Sequence, residues 1–210
     1  MKSLVYDKIR LGVAVLLYLC ATSWADAKVK LPALISDGMV LQREQSVKVW
    51  GTADAGENIT IEFQKKSYHA TADANGQWSI TLPPLKAGGP FLMQINDIKL
   101  NDILVGDVWL CSGQSNMELP VKRVMDMFSN EILNYNNEKI RHILIPQKYN
   151  FHAPQEEISA TSWKTLTQKN VMEFSALAYF FAKEMYEKTG IPVGLIKFQL
   201  GRYSCRSMDK

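Results

Sequence analysis

Residues 28–100 alternate between apolar and polar side chains in short segments. Ile59, Ile61 and Phe63, for example, are separated by polar residues, which is the period-two pattern of a half-buried strand. The same pattern occurs in four other segments: 47–50, 68–72, 78–82 and 91–95. Asn75-Gly76 predicts a hairpin between the strands on either side of it, because both residues tolerate positive φ. Short strands separated by turns predict a small antiparallel β-sandwich.

From about residue 101 the apolar residues form continuous runs instead. Residues 103–105 and 108–111 are apolar at nearly every position, as in a strand of a parallel sheet that is covered on both faces. Two further strands are predicted at 140–145 and 193–200. The change of pattern indicates that an α/β unit follows the sandwich.

Residues 173–188 predict a helix between the last two strands. Gly190 suits the left-handed position that ends a helix, and a parallel βαβ unit follows from the order strand, helix, strand. Four apolar residues recur at three- and four-residue spacing, with Ala178 and Ala182 beside them: Phe174, Leu177, Phe181 and Met185.

Residues 1–27 have the three-part layout of a secretory signal peptide. Basic residues precede an apolar run, Leu11 to Ala21, and Ala25-Asp26-Ala27 provides the small residues that a signal peptidase reads. The run is short for a membrane span, so a permanent anchor is the less favoured alternative, as is a lipid on Cys20. We therefore expect an exported protein, whether periplasmic, secreted or lumenal, with no stable membrane span after cleavage.

The composition narrows the choice of partners. The 210 residues are 47% hydrophobic and carry a net charge of +3, from 24 basic and 21 acidic residues mixed along the chain. No basic stripe stands out, so nucleic acid is an unpromising partner. Cysteines and histidines show no metal-ligand spacing, and neither a phosphate-binding loop nor a dinucleotide-binding glycine motif is present. We expect no cofactor and no metal.

Polar residues directly follow the buried strand in the segment Cys111-Ser112-Gly113-Gln114-Ser115-Asn116-Met117. α/β folds place their ligands at the carboxyl ends of parallel strands. A serine on such a turn is exposed, and the amides of the turn can face a developing oxyanion. An ordinary strand-to-loop turn is the alternative, since these are common turn residues. Met117 stands where the α/β-hydrolase elbow needs a second glycine, which argues against that version of serine chemistry.

The run from Asp102 to Glu118, with Gly-Gln-Ser-Asn-Met at its centre, closely resembles the first conserved block of the sialate O-acetylesterases, which belong to the SGNH hydrolase superfamily. Residues 31–42 and 47–51 are similar to the family's opening segments, and residues 191–196 to the strand before its second block. The resemblance covers residues 31 to about 201. Together with the signal peptide predicted at 1–27, it implies a β-sandwich domain at 28–100 and, at 101–210, the start of a truncated SGNH-type three-layer α/β domain.

The resemblance also implies a reaction. Ser115 would attack the ester carbonyl of an O-acetylated sugar such as sialic acid and form an acetyl-enzyme, which water then cleaves. The backbone N–H groups of Ser115 and of Gly201, the first glycine of the second block, would form the oxyanion hole with an asparagine of the third block. A histidine with an aspartate three residues before it would be the base.

That base is missing from the sequence. The three histidines are His69, His142 and His152, and none has an aspartate three residues before it. Each is better explained as an ordinary surface or core histidine. A serine without a base is a poor nucleophile at neutral pH, so we expect weak activity or none. An acetyl-xylan-type polysaccharide esterase, a non-catalytic carbohydrate-binding or scaffold sandwich, and the inactive product of a disrupted gene stay open as alternatives.

The end of the chain also departs from the family, whose second block continues as Gly-Gly and ends near Glu-Ala-Trp. Residues 202–209 can be written in codons that, with one base removed at residue 202, spell Gly-Ile-Pro-Ala-Glu-Ala-Trp. We interpret the end of the chain as a shifted reading frame, which would give Cys205 no function.

Sequencing the gene from the codon for Gly190 onward tests this interpretation. We expect a neighbouring frame that encodes Gly-Ile-Pro-Ala-Glu-Ala-Trp and, further on, Asp-x-x-His. If no frame contains the motif, the frameshift is wrong and the base must be sought among the three histidines.

Overall fold

The computed structural model of the chain describes residues 29–146 and 162–199. The predicted signal peptide, His152, Gly201 and the residues that follow Gly201 lie outside these ranges. The described part contains both helices and strands, so the predicted mixed α/β class is confirmed. None of its helices is long and apolar enough to cross a membrane.

Ten strands and four helices make up the described part. The strands are β1 (Val40–Gln42), β2 (Val47–Thr52), β3 (Asn58–Phe63), β4 (Lys66–Thr71), β5 (Gln77–Leu82), β6 (Gly88–Ile95), β7 (Ile98–Gly113), β8 (Asn137–Ile145), β9 (Lys164–Leu166) and β10 (Val193–Gln199). The helices are α1 (Ser115–Glu118), α2 (Met125–Leu133), α3 (Gln168–Val171) and α4 (Ala176–Thr189), with a 3-10 turn at Val121–Arg123.

Eight strands form one sheet, in the order β4-β3-β6-β7-β10-β8-β9, with β1 paired to β7 as well. Strands β2 and β5 form a separate antiparallel sheet of two. The inward side chains of this small sheet share a hydrophobic core with those of β3, β6 and the first half of β7. A second core lies where α4 covers β7, β8 and β10. The finer assignment to a sandwich followed by an SGNH-type domain stays a prediction.

Strand β7 runs through both parts of the sheet. Its first half, from Ile98 to Val105, pairs antiparallel with β6. Its second half, from Asp107 to Gly113, pairs parallel with β10, which in turn pairs parallel with β8. The parallel pairing of β8 and β10 around α4 is the predicted βαβ arrangement. The predicted domain boundary after residue 100 falls inside β7, and the division into domains remains untested.

The hairpin predicted at Asn75-Gly76 is wrong, because the strands on either side of it belong to different sheets. β4 pairs with β3, whereas β5 pairs with β2. Gly76 has φ of +74°, and the Asp73 carboxylate accepts backbone N–H bonds from Asn75 and Gln77, both at 2.8 Å. The turn is therefore fixed locally, but it carries the chain from one sheet to the other.

Helix α4 begins later than predicted, and one residue of its predicted apolar face, Leu177, is exposed. Ser175 is its N-cap, since the Ser175 hydroxyl accepts the N–H of Ala178 at 3.3 Å. Leu177 is 54% exposed, whereas Ala178, Tyr179 and Ala182 are buried. The alanines allow a close approach to the sheet, and Tyr179 fills the remaining space. At the other end Gly190 has φ of +66° and caps the helix as predicted.

The second half of β7 is less covered than its apolar sequence predicts. Residues 103–106 are buried as expected. Trp109 and Leu110, however, are 43% and 70% exposed. The prediction of a strand buried on both faces is therefore wrong for this segment. Trp109 shares the face of Cys111 and is only partly covered by Phe181 of α4, whereas Leu110 points to the opposite face, where the described residues leave it uncovered.

Gly106 marks the point at which β7 passes from β6 to β10. A β-carbon there would overlap the carbonyl oxygen of Pro192, which accepts the N–H of Asp107 at 2.8 Å. We therefore expect Gly106→Ala to lower the free energy of unfolding by about 2–4 kcal/mol in urea titrations.

Gly113→Ala on the same strand is the matched control. Its β-carbon would lie 3.1 Å from the β-carbon of Met117, a crowding far milder than the overlap at Gly106, so we expect a smaller loss. Equal losses for the two variants would contradict the importance of the contact at Gly106.

Candidate active site

The turn that carries Ser115 follows the carboxyl end of β7 without a break. β7 ends at Gly113, which pairs with the end of β10, and α1 starts at Ser115. A β-carbon on Gly113 would crowd the side chain of Met117, so glycine allows the chain to fold back tightly here. Ser115 itself is exposed to solvent. The predicted nucleophile therefore stands at the edge of the sheet where α/β folds bind their ligands.

The side chain of Met117 anchors this turn to the protein. Met117 packs on the core beneath α4. The hydroxyl of Ser175, which is fully buried, lies 3.3 Å from the Met117 sulfur and also caps α4. The N-terminus of α4 and the turn with Ser115 are consequently held by one shared residue.

Backbone hydrogen bonds fix the chain after the turn. Residues 119–122 pair with residues 172–176 through three bonds of 2.8–3.1 Å. The Leu119 N–H in turn bonds the carbonyl of Ser115 at 3.1 Å. Because the first N–H groups of a helix have no intrahelical acceptor, the Ser115 amide is free of the helix ladder, as an oxyanion donor requires.

A layer of polar side chains lies beneath the turn, on the face of the sheet under α4. Lys197, on β10 opposite Cys111, is 3% exposed. Burial lowers the pKa of Lys197, and the nearby Glu118 opposes this shift. Burial raises the pKa of the Cys111 thiol. One carboxylate oxygen of Glu118 is buried without a hydrogen-bond partner in the described structure. The sequence analysis did not foresee this layer, because Lys197 sits inside an apolar run.

The described histidines do not lie beside Ser115. His142 is on β8, two strands from β7, which is about 10 Å at the usual strand spacing. In the register of the sheet, His142 lies level with Trp109 of β7, whereas Ser115 comes later in the chain, beyond the end of β7. His69 is exposed on β4 at the far edge of the sheet, where its Nδ1 lies 3.1 Å from the Thr60 hydroxyl. The described residues therefore bring no histidine base to Ser115.

His142 is instead a core residue. It is 4% exposed, and its ring stacks on that of Phe174 with 4.2 Å between the ring centres. Burial, followed by the charges of Lys164 and Lys197, lowers the pKa of His142 to about 4. His142 is therefore neutral at pH 7. In the two described ranges, no group of three or more His, Cys, Asp or Glu side chains could hold a metal ion.

Comparison with known proteins finds relatives of this chain among the esterases. No protein-family model matches the chain. The chain is 29% identical over 213 aligned positions to the sialate O-acetylesterase of Homo sapiens, an alignment that covers 91% of this chain and 40% of that protein. Identity to the sialate O-acetylesterase of Mus musculus is 27%, with 90% of this chain and 39% of that protein covered.

A solved structure is similar as well. A carbohydrate acetylesterase from Xanthomonas citri is 37% identical, with a TM-score of 0.77, over 82% of this chain and 40% of that chain. The chain thus spans about 40% of the length of these relatives.

The chain is therefore related to esterases, and it carries an exposed serine on a turn at the end of a parallel strand. More specifically, the curated relatives are sialate O-acetylesterases, the family that the residues around Ser115 predicted.

Because His142 is neutral in the folded protein at pH 7, the free energy of unfolding depends on pH. The folded protein binds the His142 proton only near pH 4, whereas the unfolded chain binds it near 6.5. The unfolded state therefore binds more protons between these values, and His142 lowers the stability as the pH falls from about 6.5 to about 4. We expect the His142 ring signal to titrate near pH 4 by NMR.

In unfolding experiments over the same range, His142→Gln should reduce this pH dependence. A His142 signal that titrates near 6.5 would contradict the account.

Proposed function

We propose that this chain is the nucleophile-bearing part of an exported carbohydrate O-acetylesterase. The observation that carries the proposal is the exposed Ser115 on a tight turn between β7 and α1. The family relationship supports it, since the curated relatives are named sialate O-acetylesterases. The leader-like pattern of residues 1–27 supports export.

The proposed reaction runs through an acetyl-enzyme. The Ser115 oxygen attacks the acetyl carbonyl, and the Ser115 proton passes to water, because the sequence contains no Asp-x-x-His base. The bond between the acetyl carbon and the sugar oxygen then breaks. The sugar oxygen takes up a proton and leaves as a hydroxyl group. Water then cleaves the Ser115 ester and releases acetate. The Ser115 N–H, with Gly201 as a second proposed donor, stabilises the negative charge on the carbonyl oxygen.

We propose O-acetylated sialic acid as the first substrate to test, because the curated relatives carry that name. The relative from Xanthomonas citri is described more broadly as a carbohydrate acetylesterase. That similarity favours other acetylated sugars, including acetylated xylan, as the second candidate. Both substrates undergo the same chemistry at Ser115.

Ser115→Ala tests the proposal directly. We expect slow acetate release from acetylated sialic acid or acetylated xylan by the purified chain, because no base lies beside Ser115 in the described structure. The variant should reduce that release to the uncatalysed rate, because the attacking oxygen is gone.

Ser112→Ala is the control, since Ser112 is also exposed and lies three residues earlier. It should retain the activity of the unchanged chain. Acetate release that survives Ser115→Ala, or that is lost equally in Ser112→Ala, would contradict the role of Ser115. Sugar binding without any Ser115-dependent release would favour a non-catalytic carbohydrate-binding protein.

A further inference from the structure

Lys197 places a charge inside the protein, close to the turn that carries Ser115. It lies on β10 opposite Cys111, two residues before the end of β7, and it is almost fully buried. Val193 and Leu195, which share its side of the strand, belong to the core beneath α4. The Lys197 side chain therefore extends into the layer between the sheet and α4. An ammonium group that leaves water needs an opposite charge or hydrogen bonds to offset its lost hydration.

The neighbours of Lys197 on one side are aromatic or neutral. Its Nζ lies 5.9 Å from the centre of the Phe174 ring, whose face attracts a cation. His142, which is neutral at pH 7, stacks on that ring, and both rings line a cavity of about 560 Å³ at the carboxyl end of β8. Burial raises the pKa of the Cys111 thiol, so this group is also uncharged at pH 7. None of these three groups provides a negative charge.

Glu118 provides the opposite charge, from the same helix as Ser115. It lies on α1, three residues after Ser115. One of its carboxylate oxygens is buried and makes no hydrogen bond in the described structure, which is rare in folded proteins. Burial lowers the pKa of Lys197, and Glu118 is the largest of the influences that raise it, which places the two charges near each other. Because both groups are shielded from solvent, water screens their attraction less than it screens a surface pair.

Helix α1 needs attachment to its surroundings because it is short. It has four residues, too few for a helix to be stable by itself. Gln114, the residue before it, makes no side-chain cap bond. Met117 attaches the helix to Ser175 at the start of α4. Glu118 is the next residue, and its attraction to Lys197 is a second attachment, to the sheet instead of α4.

We propose that Lys197 is a positioning residue for the reaction at Ser115. Its ammonium attracts the Glu118 carboxylate and so holds α1 against the end of β7, with the Ser115 hydroxyl and N–H in place. Its role runs through Glu118, so Lys197 takes no part in proton or acetyl transfer. The inference rests on the proposed function for the reaction, and it adds a residue that lies within an apolar run of the sequence.

Lys197→Met tests this attachment, because it keeps the length of the side chain and removes the charge. The Glu118 oxygen would then be buried without an opposite charge, and we expect α1 to open so that water can reach it. The N–H groups of Glu118 and Leu119 report on this opening, since they bond carbonyls four residues earlier at 3.0 and 3.1 Å. Hydrogen exchange followed by NMR should show both exchanging about tenfold faster, with the amides of α4 unchanged.

Lys183→Met is the matched control. The Lys183 Nζ also lies over an aromatic ring, 5.3 Å from the centre of Tyr135, and it also pairs with a glutamate, Glu131, at 3.0 Å. That glutamate belongs to α2, so exchange at α1 should stay unchanged in this variant. If the two methionine variants behave alike at α1, the inference is overturned.

Glu118→Gln tests the other partner, and it tests the same pair if Lys197→Met does not fold. It removes the charge that attracts Lys197, so exchange at α1 should again become faster. The two effects should not add: the double variant should be no looser than either single variant, because the pair is already lost. Effects that add in full would show that Lys197 does not act through Glu118, and would overturn the inference.

Acetate release connects the pair to the reaction. Lys197→Met should lower kcat about tenfold and leave KM nearly unchanged, because a displaced nucleophile slows the attack without changing the contacts to the sugar. Ser115-dependent release that Lys197→Met leaves intact would overturn the inference and keep the esterase. Faster exchange at α1 in Lys197→Met, with no Ser115-dependent release from the unchanged chain, would keep the pair and remove the esterase.

Discussion

The hydrogen bond from the Asp107 N–H to the Pro192 carbonyl is the contact on which the rest of the structure depends. It forms only because Gly106 has no side chain to separate the two strands. At this point β7 leaves its antiparallel partner and takes β10 as a parallel one. The ion pair from Arg43 to Asp107, at 2.8 Å, ties the strand to the end of β1 at the same place. The register of β7 beyond this point decides where Ser115 emerges.

The turn with Ser115 depends on a second set of contacts, which come from the start of α4. Ser175 caps the helix and contacts Met117, so helix formation and placement of the turn are coupled. Phe174, one residue earlier, supports His142 and lines the adjoining cavity. Residues 172–176 therefore contact both the turn with Ser115 and the wall of the adjoining cavity.

Local signals in the sequence predicted the strands of the first part, the parallel pairing around α4, the Gly190 cap and the exposed Ser115. They failed where a distant partner decides the outcome. Asn75-Gly76 is a sound turn, yet only tertiary packing sends β5 to β2 instead of β4. Helical spacing favoured Leu177 as a core residue, but the alanines allow the closer contact. The buried Lys197 and the cavity at His142 could not be predicted, because neighbouring strands create both.

The central claim is that Ser115 is the nucleophile. Mass spectrometry of the chain after exposure to a fluorophosphonate tests it most directly, because this reagent forms a stable bond with an activated serine oxygen. Because no base lies beside Ser115 in the described structure, the account predicts slow labelling, with one added phosphonyl group on the peptide that contains Ser115 and none on that peptide in Ser115→Ala. Labelling at another serine, or no labelling under conditions in which the chain releases acetate, would contradict it.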